Sequence, residues 1–298
     1  MDYLRIRQIK ADFALLFVAF SWGLTFVVIQ DALSDIGPYY FLTLRFSFAL
    51  FFLALIYWRH FKYINTKTVK TGIFIGLILF GGYAFQTVGL KYTGPATAGF
   101  ITGLAVVLVP IISALYLKKM PGPFVISGVA CAALGLAFLT LKGGSYSLNY
   151  GDALIFLCAV CFASHIIAVG RYAGHYDPVL LAMLQIGVVA LVSFIVALGT
   201  ENMPSHFTRQ VWIGFIVCSI PATSLAYLIQ NSVQRYTSPT HTAIIFTMEP
   251  VFSAITAHLL AREFLNWQQA AGSMLILTGM LVAELKAARE ETNTGQQA

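Results

Sequence analysis

The chain has 298 residues, 58% of them hydrophobic and only 10% charged, with a mean hydropathy of +0.79. Soluble domains carry roughly 25% charged residues, so this chain cannot cover a water-facing surface. Its formal charge of +6 sits in short clusters between apolar runs, which argues for membrane topology and against nucleic-acid binding.

A helix needs about 20 apolar residues to cross a bilayer. In chain order, ten such spans are predicted, at 13–30, 39–57, 71–90, 96–117, 123–141, 152–170, 178–198, 211–230, 239–260 and 268–285. The first lacks a small-residue cleavage site and reads as a span, not a signal peptide. Lys and Arg fall unevenly in alternate loops. Arg5, Arg7, Lys10, Arg59, Lys62, Lys67, Lys70, Lys118, Lys119, Arg171, Arg235, Lys286 and Arg289 lie on one side; Lys91, Lys142, Arg209 and Arg262 lie on the other. Thirteen against four places both termini in the cytoplasm. Trp58, Trp212 and Trp267 fall at span ends, as an interfacial belt requires, whereas Trp22 sits mid-span. Cys131, Cys158, Cys161 and Cys218 lie inside apolar spans, where a disulfide framework is not expected. Cys158-x-x-Cys161 has no second Cys or His pair, so no metal site is predicted, and no nucleotide-binding P-loop or other cofactor motif is present.

The chain repeats itself. Tyr92-Thr-Gly-Pro95 returns as Tyr236-Thr-Ser-Pro239, and each runs to a second proline, Pro110 or Pro250, that precedes a hydrophobic pair and Ser-Ala. Asp12 matches Asp152, Pro38 matches Pro178 and Pro110 matches Pro250 at an offset of 140. Gln86 matches Gln230, Lys91 matches Arg235, and Gly128 and Gly135 match Gly272 and Gly279 at 144. The four-residue difference is about one helical turn, so the shifts preserve helix faces. The predicted units are therefore 12–142, 150–286 and a disordered cytoplasmic tail, 287–298. Each unit holds five spans, an odd number, so the second must insert inverted. The expected fold class is an all-α membrane protein of ten transmembrane helices in two inverted five-helix repeats, the architecture of alternating-access transporters.

The residues also resemble those of the drug/metabolite transporter superfamily, EamA type, from about Asp12 to Lys286. The local marks are FSWGLTFV (Phe20–Val27), LRFSFA (Leu44–Ala49), YTGPATAGFITGL from Tyr92, EPVFSA from Glu249, Glu263, and the pair Gly272/Gly279. The resemblance implies an inner-membrane carrier, usually an exporter of amino acids, metabolites or toxic organic solutes. His165, in mid-span six, departs from it.

Intramembrane ionisable residues are candidates for function because burying charge in lipid is costly. Glu249, near the middle of span nine, is either a ligand for a substrate amine or a proton-coupling carboxylate, or else a structural carboxylate that hydrogen-bonds helix ends or pairs with Arg45 of span two. Trp22, Tyr83, Phe100, Phe162 and Tyr227 are mid-span aromatics that either line a cavity or pack. Beside Gln86, Gln230, Asn231 and His165 they form the candidate substrate-binding set, since ligand sites mix apolar walls with few polar groups. Pro110 and Pro250 remove an intrahelical hydrogen bond and are candidate kinks. Gly72-x-x-x-Gly76 and Gly99-x-x-x-Gly103 have a close-packing spacing, read as contacts within a monomer, with a homodimer as the alternative.

The predicted function is secondary transport of a small organic solute, an amino acid or an amphipathic or aromatic compound, outward through the lipid bilayer. Proton coupling and facilitated diffusion both stay open, as does import. A membrane-embedded enzyme acting on a lipid-linked substrate would need a cluster of acids, histidines or metal ligands near one face. This chain has none: Asp31 and Asp35 share one loop, and Asp177 lies in another. A channel would need charge rings, which are absent.

Overall fold

The computed structural model describes residues 2–116, 123–142, 145–146, 149–204, 206–234 and 239–295. Lys118, Lys119 and the repeat residues 235–237 lie outside them. The described residues form an all-α bundle of ten membrane-spanning segments, the second five inverted on the first. Its helices are α1 (Asp2–Ala32), α2 (Pro38–Tyr57), α3 (Thr66–Gly89), α4 (Pro95–Gly103), α5 (Ala105–Tyr116), α6 (Pro123–Thr140), α7 (Tyr150–Tyr172), α8 (Pro178–Thr200), α9 (Arg209–Ser219), α10 (Ala226–Gln234), α11 (Pro239–Phe246), α12 (Met248–Ala261) and α13 (Trp267–Gly295). The halves are joined through a two-residue pairing of Leu141–Lys142 with Ser145–Tyr146.

Proline opens α2, α4, α6, α8 and α11, where its fixed φ suits the first turn and its missing N–H has no partner to lose. Asn65, Asn149, Asp177 and Thr208 cap α3, α7, α8 and α9 by accepting a backbone N–H through the side chain.

Three predicted spans are interrupted. The fourth divides into α4 and α5 at Leu104, and the ninth into α11 and α12 at Thr247. The eighth divides into α9 and α10 around a wide turn, Ile220–Leu225, that begins with Pro221 at its second residue. Pro250 cannot donate to the carbonyl four residues back, at Phe246, and α12 restarts just after that point with the proline in its first turn. Pro110 lies inside α5, after its break. Helix α13 runs to Gly295, past residue 287 where a disordered tail is expected. The run Ala-Glu-Leu-Lys-Ala-Ala-Arg-Glu-Glu from Ala283 is built of strong helix formers, and their propensity outweighs the polarity that suggests disorder.

Packing brings repeat equivalents together. α6 and α13 cross at glycines: a Cβ on Gly135 would meet the Gly272 carbonyl at 2.6 Å, and one on Gly279 the Gly128 carbonyl at 2.5 Å. α2 and α8, opened by the matching Pro38 and Pro178, are tied at both ends. At one end the Glu201 carboxylate accepts from Tyr39 N and Tyr40 N at 2.8 and 2.9 Å, in space that Gly37 leaves open. At the other, His60 Nδ1 lies 3.0 Å from Asp177. The Gly-x-x-x-Gly pairs pack within the chain: Gly72 and Gly76 on Leu184, Gln185 and Val188 of α8, Gly99 on Ser253 and Gly103 on Met280 and Pro250. α12 is held between α1 and α4, with Gly23 against Phe252 and the Glu249 carbonyl and Ser253 Oγ donating to the Pro95 carbonyl at 3.0 Å.

Candidate functional site

Two of the three interruptions meet at a central cavity. Gly103 and Ala105, flanking the Leu104 break, and Phe246 and Glu249, flanking the Thr247 break, all line it. The rest of the wall is Trp22, Thr25 and Phe26 of α1, Tyr83 and Gln86 of α3, Thr102 of α4, Val106 of α5, Phe162, His165 and Ile166 of α7, and Tyr227 and Gln230 of α10. Both halves contribute. The volume open to the centre of a water-sized sphere is about 40 Å³, room for a few waters, since one needs ~10–15 Å³.

The aromatic wall is interlocked. Trp22 stacks edge-on to Phe246 at 5.0 Å and lies 5.7 Å from Tyr227; Tyr83 packs on Phe162 at 5.3 Å. Tyr83 and Tyr227, 144 residues apart like the glutamines Gln86 and Gln230, are repeat equivalents, and the Tyr227 hydroxyl donates to that of Tyr83 at 2.7 Å.

Polar side chains behind the wall fix it. The Gln185 carbonyl oxygen lies 2.8 Å from His165 Nε2, and its amide nitrogen donates to Asn231 Oδ1 at 3.0 Å. With the amide so oriented, His165 Nε2 must carry the proton that Gln185 accepts. Asn231 in turn donates to the Tyr227 carbonyl at 2.8 Å. Gln230 donates to Gln234 at 3.2 Å, and Gln234 to the Ile166 carbonyl at 2.7 Å. The Gln230 carbonyl oxygen has no partner among the described residues.

Glu249 is 8% exposed and takes no hydrogen bond from any described residue. The Thr247 break places it in the first turn of α12, where the partial positive charge of a helix start favours a carboxylate. Arg45, fully buried on α2, donates from Nε to Thr223 Oγ1 at 2.7 Å and from Nη2 to the Ala222 carbonyl at 3.3 Å and the Tyr83 hydroxyl at 3.4 Å. Its guanidinium lies 4.7 Å from the centre of the Tyr83 ring. No ion pair joins Arg45 to Glu249, so the pairing expected between them is not made: Arg45 is committed to the Ile220–Leu225 turn and Tyr83, while Glu249 faces the cavity.

Of the predicted set, Trp22, Tyr83, Gln86, Phe162, His165, Tyr227, Gln230 and Glu249 come together at the cavity. Phe100 is buried in the core of α4, Asn231 and Arg45 stand behind the wall, and Pro110 and Pro250 are outside the lining. Thr25, Phe26, Thr102 and Phe246 line it unpredicted, and Gln185 and Thr223 support it unpredicted. Gln185 carried a signal, being a lone amide in the middle of span seven; the others are ordinary span residues. Among the described residues no group of three His, Cys, Asp or Glu side chains is placed to hold a metal ion.

An uncharacterized transporter of Archaeoglobus fulgidus is 35% identical over 282 residues, covering 94% of this chain and 88% of its own. A probable amino-acid metabolite efflux pump of Salmonella typhimurium is 24% identical over 300 residues, covering 92% and 94%. A solved crystal structure of a protein shares the fold at a TM-score of 0.70 and 20% identity, over 95% of this chain and 99% of the other. The EamA-like transporter family pattern matches twice, at residues 9–141 and 149–284, so each five-span half carries one copy. The chain is a multi-pass membrane transporter and belongs to the EamA-like transporter family.

Proposed function

We propose that this transporter exports a small organic solute bearing an amine, an amino acid or an amphipathic aromatic compound, across the inner membrane by alternating access. The observation that carries the reading is Glu249, a carboxylate without a hydrogen-bond partner among the described residues, facing an aromatic cavity built from both halves. A carboxylate so buried needs a cation or a proton. A solute ammonium or a coupling proton meets that need, and the aromatic faces suit a cationic or apolar body. A cavity of about 40 Å³ is far below the roughly 300–1,000 Å³ of ligand pockets, which fits a contracted state between two open ones. The excess of Lys and Arg at the end of the bundle carrying Lys10, Arg59 and Arg171 supports a cytoplasmic placement of that end and of both termini.

The test is a metabolite profile of spent medium from cells overexpressing the chain, beside cells carrying Glu249→Gln at equal membrane level. An amine enriched outside only with the intact chain is the expected result. Enrichment inside instead would reverse the direction, and an equal profile for both would remove Glu249 from the transport step.

A further inference from the structure

Arg45 does not line the cavity, yet the polar atoms of three lining aromatics lead back to it. The Ala222 carbonyl accepts from Arg45 Nη2 at 3.3 Å and also from Trp22 Nε1 at 2.9 Å. The Tyr83 hydroxyl accepts from Arg45 at 3.4 Å and from the Tyr227 hydroxyl at 2.7 Å. Arg45 Nε holds Thr223 Oγ1 at 2.7 Å, and Thr223 reaches the Cys218 carbonyl at 2.7 Å, so the guanidinium pins the wide turn that presents Ala222. A fork of donors is the group suited to gather a carbonyl and two hydroxyls at once.

The arrangement is not repeated across the two halves. Tyr83 and Tyr227 are equivalents in contact, so the axis relating the two halves passes between their hydroxyls. The position equivalent to Arg45 at the repeat offset of 140 is Gln185, which serves His165 and Asn231. Arg45 therefore distinguishes two walls that the duplication would otherwise make alike. Among the described residues this buried guanidinium has no carboxylate paired with it and its Nη1 has no partner, a poor device for stability alone.

We propose that Arg45 is a positioning residue that sets the shape of the solute-facing aromatic wall, orienting Trp22 through the Ala222 carbonyl and the Tyr83–Tyr227 pair through the Tyr83 hydroxyl. It rests on the transport reading only where solute kinetics are concerned. The experiment needs no solute: purified protein keeping Trp22 as its sole tryptophan (Trp58, Trp212 and Trp267→Phe) is compared with the same chain carrying Arg45→Gln, Arg45→Lys or Tyr83→Phe. Arg45→Gln removes a buried charge and installs the residue that the other half already accommodates.

The expected result is a red shift of Trp22 emission and easier quenching in Arg45→Gln, a smaller change in Arg45→Lys, and an unshifted spectrum in Tyr83→Phe, which leaves the Ala222 carbonyl in place. Unchanged Trp22 emission in a folded, monodisperse Arg45→Gln protein overturns the proposal. Should Arg45→Gln not fold, the intermediate shift in Arg45→Lys decides it, and its absence overturns the proposal equally. Once the exported solute is known, Arg45→Gln should raise KM by about five- to ten-fold, the loss of one wall hydrogen bond, with Vmax retained. A fall in Vmax at constant KM counts against positioning. Failure to find a solute bears on the transport reading and leaves the emission test standing.

Discussion

At the scale of single residues, the cavity rests on amides that touch no solute. Gln185 is fully buried and joins His165 to Asn231, so Gln185→Leu strands a donor on one side and an acceptor on the other. The expected cost is about 1–3 kcal/mol, read as a lower thermal midpoint of the detergent-solubilised protein. How far this was legible differs residue by residue. Glu249 and Trp22 announce themselves, a charge and an indole in the middle of apolar runs. The equivalence of Gln86 and Gln230 is readable by counting, and Tyr83 and Tyr227 share that count. Their direct contact is not readable, because it depends on how α3 and α10 cross. The expected Arg45–Glu249 pair fails for a related reason: two opposite charges at similar depth can face different neighbours, and depth is all that a linear sequence conveys.

Among the elements, close helix crossings carry the bundle, and their glycines divide into those with a neighbour and those without. A side chain on Gly279 meets the backbone of Gly128 and Ala132, which cannot swing aside. Gly279→Leu should therefore force α6 and α13 apart at a cost of about 1–3 kcal/mol or more, seen as lost thermal stability and a broadened gel-filtration peak. Gly174, beyond the end of α7, has nothing within 4 Å, and Gly174→Ala should leave the melting curve in place or raise it slightly. The number and order of spans were legible because apolar length is a strong signal. The breaks at Leu104 and Thr247 were not, since neither residue disfavours helix. Pro250 marks the Thr247 break from downstream, because a helix loses the bond four residues before the ring; Pro110 frees the Val106 carbonyl, inside α5, and does not account for the break at Leu104.

For the whole molecule, the inverted duplication was legible from paired offsets of 140 and 144, which hold where equivalent faces must meet. If the two halves exchange shapes, the cavity wall opens to one side and then the other. Trp22→Cys, in a chain cleared of its four native cysteines, should react with small thiol reagents and be protected by a transported solute. No reaction with or without the solute would place Trp22 in a permanently packed wall.

The pairing of α6 with α13 also has a consequence for how the protein is made. The glycine seam of α6, complete once the first half has been synthesised, faces its partner only when α13 leaves the ribosome, more than a hundred residues later. Until then the first half sits in the bilayer with an uncovered groove, and a chain stopped before Trp267 never covers it. Every nascent copy thus keeps one helix face without its partner until α13 is in place.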